Sequence, residues 1–303
     1  MRVFLTGATG FIGSRIVPEL LDAGHHVLGL TRSAAGARWL EKAGAEAHQG
    51  TLEEPDRIAS GAAEADAVIH TAFDHDFSRF VQNCEKDQRV IEAMARALAG
   101  SDRPLIITSG TGMGSRGPGT LAVEEVFDHD NPNPRRLSEL AGEAAAHRGV
   151  SVAVVRLPQV HNTERQGLIS PAIHIARRTG VSAYVGDGSN RWAAAHVGDV
   201  VRLYRLALEH HAPGARWHAV AEEGVPMREI AEAVGAGLGI PVRSLSVDEA
   251  MQHFGWLGPF AGADMPASSA FTRKRLAWAP TGPSLIDDLR NMNFAATEVE
   301  HRG

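Results

Sequence analysis

The chain opens on a glycine-rich turn that narrows what it can fold into. Arg2-Val3-Phe4-Leu5-Thr6 reads as a strand, and Gly7, Gly10 and Gly13 then space a turn into a helical pattern over Ile12 to Ala23. A Gly-x-x-Gly-x-x-Gly turn carries no side chains where the loop reverses, so its backbone can approach a pyrophosphate closely. The helix that follows offers unpaired N–H groups and the positive end of its dipole. The same glycines could make a tight turn that holds nothing. The flanking strand and helix favour dinucleotide binding. Gly7, Thr9, Gly10, Phe11, Ile12 and Gly13 are therefore candidate cofactor contacts.

The alternation continues for half the chain. Strand patterns fall at His26 to Thr31, Ala45 to Gln49, Ala67 to Thr71, Leu105 to Thr108 and Val150 to Arg156. Helical patterns separate them at Ala34 to Ala43, Glu54 to Ala63, Phe77 to Ala99 and Ser138 to His147. Such a series predicts an α/β fold, a doubly wound parallel (Rossmann) sheet with helices on both faces. Pro18 breaks a local rule inside the first helix and predicts a kink or a lost hydrogen bond there. Beyond Val160, helical stretches (Ser170 to Thr179, Asp199 to His210, Met227 to Leu238, Asp248 to Phe254) alternate with Gly-, Pro- and Ser-rich loops. They predict a smaller, mostly helical C-terminal substrate lobe. The boundary is placed between residues 165 and 166, with interleaving of the two parts left open. Ala295 to Gly303 reads as a frayed tail.

The second strand ends Leu28-Gly29-Leu30-Thr31-Arg32-Ser33. An acidic residue there would bond the adenosine ribose of NAD. Thr31 takes that place and Arg32 follows, which suits the 2′-phosphate of NADP. A solvated surface arginine is the alternative reading. NADP is expected over NAD, with Arg32, Ser33, Thr51 and Leu52 added to the candidate contacts.

Other classes are disfavoured. A net charge of −6 gives no electrostatic reason to expect nucleic acid or an anionic membrane. No apolar run reaches transmembrane length. The single cysteine, Cys84, cannot form an internal disulfide and fits a reducing compartment. With no leader pattern visible, a cytoplasmic location is expected. The 15 histidines include no His-Glu-x-x-His, so no metal site is expected. Ser109 lacks the Gly-x-Ser-x-Gly frame of a hydrolase nucleophile.

Several segments together resemble the extended short-chain dehydrogenase/reductases, which include nucleotide-sugar epimerases and dihydroflavonol-type reductases. Thr6 to Gly13 matches their glycine signature. His70-Thr71-Ala72-Phe73 resembles a segment lying along the cofactor, and Thr108-Ser109-Gly110 the segment of the catalytic serine. Arg156-Leu157-Pro158-Gln159-Val160 resembles the stretch packed on the nicotinamide. His196-Val197-Gly198-Asp199-Val200 and Leu276-Ala277-Trp278-Ala279-Pro280 resemble two C-terminal signatures. The likeness is strongest to an atypical branch of NADP-dependent epimerase/dehydratase-like proteins. It implies cofactor contacts at Thr71, Ala72, Phe73, Leu157, Pro158 and Val160.

One departure bears on chemistry. Active members carry Tyr-x-x-x-Lys on a helix. Aligning Ser138 and Glu143 with that pattern puts Arg135 at the tyrosine and Glu139 at the lysine. Arginine stays protonated and donates protons poorly. A nearby glutamate would raise a neighbouring acid's pKa. At i, i+4 the two could pair with each other. The only tyrosines are Tyr184 and Tyr204, the latter placed on a core helical face. Ser109 is left to orient a carbonyl, with Thr111 nearby. His161 is the candidate proton donor, with a plain polar loop residue as the alternative. Tyr184, Arg191 and Trp192 are candidate substrate contacts; for Tyr184 a packed strand tyrosine is the favoured alternative, and Arg191 and Trp192 could instead brace the lobe interface. The expected function is NADP-dependent oxidoreduction of a small carbonyl or alcohol by a monomer or homodimer. An epimerase-type reaction and a non-catalytic NADP-binding sensor are the alternatives.

Overall fold

A computed structural model describes residues 1–295, so the tail read beyond Ala295 lies outside the described residues. The first half runs β1 (Arg2–Thr6), α1 (Gly13–Asp22), β2 (His26–Thr31), α2 (Ala34–Lys42), β3 (Glu46–Gln49), α3 (Pro55–Ala63), β4 (Ala67–His70) and α4 (Phe80–Leu98). It continues through β5 (Leu105–Gly110), α5 (Arg136–His147) and β6 (Val152–Leu157). Val3, Phe4 and Leu5 are all fully buried, as a strand covered on both faces requires.

The second half runs β7 (Gln159–His161), α6 (Ile169–Thr179), β8 (Ser182–Val185), β9 (Arg191–His196), α7 (Val197–Glu209), β10 (Arg216–His218) and β11 (Glu222–Pro226). Then come α8 (Met227–Leu238), β12 (Val242–Leu245), α9 (Val247–Phe254), α10 (Gly258–Ala261), α11 (Ala270–Leu276) and α12 (Leu285–Asn291).

The main sheet has seven strands in the order β10-β6-β5-β4-β1-β2-β3. Every pair in it is parallel. Connections leave β1 toward β2 on one side and return to β4 on the other, so the carboxyl ends of β1 and β4 splay into a crevice. One apolar cluster joins β1 to α1 and α7 through Ile16, Val17, Leu20, Val200 and Leu203. A second fills the opposite face under α3, α4 and α5. Thus α7 and β10, late in sequence, complete the first layer, and β10 extends the sheet beside β6 with Trp217 opposite Val155.

The lobe is mostly helical, as its texture suggests, but it also holds strands that the texture does not reveal. It carries a three-stranded sheet in the order β11-β9-β7 and a two-stranded sheet of β12 and β8. These strands escape periodicity because they are short or sealed. β9 reads Arg-Trp-Ala-Ala-Ala-His and buries four successive residues, so no alternation survives. Pro18 sits on the exposed side of α1, which runs on to Asp22.

The glycine turn is built by close approach. Gly7 has φ +70°, and a Cβ there would lie 2.7 Å from Thr71 Oγ1 and 2.8 Å from the Ala72 nitrogen. A Cβ on Gly13 would lie 2.0 Å from the Gly7 carbonyl oxygen, a rigid backbone atom. Gly13→Ala is expected to destabilise the fold by about 1–3 kcal/mol through overpacking. Urea unfolding checks this, and an unchanged midpoint would mean that the turn opens without cost.

Candidate active site

The crevice at the switch point opens into a cleft of about 1490 Å³ that reaches the lobe. Gly7 and Thr9 to Gly13 line one end, and α1 starts there with no side-chain cap on its first N–H groups. Thr51, Leu52, Thr71, Ala72, Phe73, Leu157, Pro158 and Val160 line the same cleft. Arg32 lines it too, exposed at the end of β2, with no ion pair among the described residues. Ser33 does not line it; its hydroxyl accepts from the Gly36 N–H at 3.1 Å and caps α2. A closely packed glycine cradle and uncapped helix donors fit the pyrophosphate of a dinucleotide.

A buried polar chain runs from this cradle into the cleft wall. Thr6 Oγ1 accepts from the Ala72 N–H at 3.2 Å and lies 2.7 Å from His70 Nδ1. His70 Nε2 lies 2.9 Å from Asp87 Oδ1. The other Asp87 oxygen accepts from Arg135 Nη1 and Ser138 Oγ, each at 2.6 Å. Burial would raise the Asp87 carboxyl, but Arg135, His70 and Ser138 outweigh it and hold it well below the usual carboxylate range. Arg135 also donates to the Thr108 carbonyl at 2.8 Å and lies 4.2 Å over the Phe73 ring. The residue aligned with the family tyrosine thus presents a fixed guanidinium to the cleft.

Glu139 faces elsewhere. Its two oxygens accept from Arg156 Nε and Nη2, both at 2.8 Å, and Arg216 Nε adds a bond of 3.0 Å. Glu139 and Arg156 are both fully buried, and neither lines the cleft. His218 Nε2 accepts from Arg156 at 3.1 Å while its Nδ1 meets the Ser268 carbonyl at 2.8 Å. Burial and the adjacent Arg156 push the His218 imidazole down to about 3, so it stays neutral. The expected i, i+4 pair between Arg135 and Glu139 is therefore absent. Each has a stronger partner from another element.

Ser109 and Thr111 line the cleft beside Arg135. Ser109 Oγ is buried and has no hydrogen-bond partner among the described residues. His161 does not reach the cleft. β7 turns it inward, where Nδ1 sits 2.6 Å from Asp288 Oδ2 and burial lowers its pKa despite that carboxylate. Neither tyrosine lines the cleft. Tyr204 is fully buried, its hydroxyl 2.6 Å from Thr108 Oγ1, and burial pushes its pKa up. Tyr184 lies under the Arg228 guanidinium. Arg191 is spent on Asp264, which its Nη2 meets at 2.8 Å, so it braces the lobe. Trp192 lines the cleft but is nearly fully buried, its indole N–H donating to the Ala263 carbonyl. Cys84 is buried, which pushes its thiol up to about 11.

Among the cleft residues that the sequence reading did not place at the site are His75, Arg165 and Trp256. His75 had a usable signal, since it follows the His70-to-Phe73 segment by two residues.

A parallel sheet, a glycine cradle at its switch point and an open cleft bounded by a second lobe define a dinucleotide-binding α/β protein. Residues 3–220 match the NAD dependent epimerase/dehydratase family, and the chain belongs to it. It is an NAD(P)-dependent enzyme of the short-chain dehydrogenase/reductase type. An uncharacterized protein of Schizosaccharomyces pombe is 47% identical over 290 residues, covering 95% of this chain and 98% of its own. The 2′-dehydrokanamycin reductase of Streptomyces kanamyceticus is 30% identical over 263 residues, covering 82% of this chain and 69% of its own. In fold, the chain is similar to the UDP-glucose 4-epimerase structure from Thermotoga maritima, with TM-score 0.73 and 18% identity over 96% of this chain and 97% of that one.

The buried Glu139–Arg156 pair sets a stability test. Glu139→Gln leaves Arg156 buried beside half a partner and should cost about 3–5 kcal/mol. Glu139→Lys should cost more, because it sets a third cation against Arg156 and Arg216. Chemical unfolding of both variants checks this order, and equal stabilities would refute it.

Proposed function

We propose that this protein is an NADP-dependent reductase of a small carbonyl substrate. The buried, unpartnered Ser109 hydroxyl in the cleft wall beside Arg135 carries this reading. A buried hydroxyl without a partner costs stability, which a bound oxygen would relieve. When bound, the reduced nicotinamide supplies a hydride. Ser109 donates a hydrogen bond to the substrate carbonyl oxygen, and the Arg135 guanidinium stabilises the negative charge that gathers there. Arg135 can do this without moving, since Asp87 and the Thr108 carbonyl already fix its plane. Thr111 borders the same oxygen position.

NADP is favoured over NAD by Arg32, which stands free at the cleft rim with no acidic residue in the ribose-reading position after β2. The sensor alternative fits less well, because the cleft is open and keeps unspent polar groups. An epimerase would have to return a hydride to the opposite face of a turned substrate. No feature of the cleft favours that over reduction.

NADPH oxidation against a panel of aldehydes, ketones and imines tests the reading. Ser109→Ala should lower kcat on the order of a hundredfold with little change in NADPH affinity. NADPH binding without turnover of any compound would refute the reductase. Arg32→Glu should weaken NADP binding roughly tenfold or more through loss of a charge-assisted contact, while NAD binding holds or improves. Calorimetric titration of both nucleotides reads that change.

A further inference from the structure

The missing tyrosine leaves the proton of a carbonyl reduction without a source, and an imidazole lines the same cleft. His75 lies in the segment after β4 and lines the same cleft as Ser109 and Arg135. Its Nδ1 meets the Phe73 carbonyl at 3.0 Å, so Nδ1–H donates and Nε2 is the free nitrogen. Nε2 has no hydrogen-bond partner among the described residues. The ring stands edge-on to Phe73 at 5.5 Å, and Arg135 covers that same Phe73 ring. One aromatic ring thus links the histidine to the guanidinium in the tyrosine's place. Two other histidines line the cleft, His174 on α6 and His253 on α9, but both come from the lobe.

We infer that His75 is the proton donor of this enzyme, replacing the tyrosine through a different element of the fold. This assignment rests on the carbonyl-reductase reading above. In reduction the carbonyl carbon gains the hydride and the C–O π pair moves onto oxygen. The His75 Nε2–H bond breaks, an O–H bond forms, and the imidazole is left neutral. Solvent then reprotonates the ring, which is exposed. Alcohol oxidation runs the same transfer backward, with neutral His75 as base.

The surroundings suit an acid. Arg135 approaches from the start of α5 and Arg165 from the loop before α6. The neighbouring Asp74 is tied to Lys86 of α4 at 3.0 Å. Phe77 stands edge-on to the ring and is itself covered by Trp256, the two rings 4.6 Å apart and stacked. Although His75 is exposed, partial desolvation by the cleft groups around it, then Arg165 and Arg135, hold the imidazole below its ordinary value of 6.5, while the Phe73 carbonyl and Asp74 pull the other way. A proton held less tightly passes more readily to an oxygen gaining negative charge.

The test follows NADPH oxidation with 4-nitrobenzaldehyde, an activated aldehyde, across the range from about pH 5 to 8. Wild-type kcat/KM should be level at acid pH and fall tenfold per unit above a break that lies below 6.5. His75→Asn should lose on the order of a hundredfold in kcat/KM and lose the break, with NADPH affinity unchanged. The break should coincide with the titration midpoint of the His75 ring, read by NMR and assigned by its absence from His75→Asn. A break that survives in His75→Asn, or a ring midpoint away from it, would overturn the assignment and leave the reductase reading standing. Wild-type protein that binds NADPH but turns over neither this probe nor any compound of the aldehyde, ketone and imine panel would overturn both.

Discussion

The Asp87 carboxylate is the interaction on which the site depends. It is almost completely buried, and an isolated charge in that position would be very costly. Three donors from two elements make it tolerable: His70 at the end of β4, and Arg135 and Ser138 at the start of α5. The same contacts do positional work. Through His70 and Thr6 they lock the ends of β4 and β1 together, and those ends carry the glycine cradle. Through Arg135 they aim a guanidinium at the cleft.

The exchange of the family's tyrosine–lysine pair for arginine and glutamate is then a rearrangement, with each new residue absorbed by a different network. Arg135 takes the anion Asp87 as partner and keeps one face on the cleft. Glu139 turns from the cleft to neutralise Arg156, which a lysine at that position would repel. A cation is kept on the cleft, but it is Arg135 at the helix start. The lost function is proton donation, since a guanidinium holds its proton too firmly. Removing the tyrosine therefore creates a vacancy that an imidazole elsewhere on the cleft can fill.

Much of the fold was legible because its signals are local. The glycine turn, the run of buried strands and the helix patterns each depend on residues a few positions apart. The lobe's helices were legible but its strands were not, because those strands are short and β9 is sealed on successive residues. The histidines were misjudged for another reason. His161 follows the segment that resembles the nicotinamide contact, yet β7 turns it toward Asp288. His75 drew no reading because Asp74 and Asp76 flank it as in a solvated loop, yet the segment after β4 brings it to the cleft wall.

The sequence by itself determined that this chain winds a parallel sheet around a dinucleotide cradle and that it carries no tyrosine at the usual catalytic position. Those properties follow from backbone geometry and residue identity, which neighbours in sequence specify. Only the tertiary structure decided which charged side chains face the cleft and which are spent on each other. Pairing depends on partners 17 to 77 residues away, as between Glu139 and Arg156 or Glu139 and Arg216. A buried charge goes to the partner that best repays its lost hydration. For Arg135 and Glu139 that partner was not the one at helical spacing.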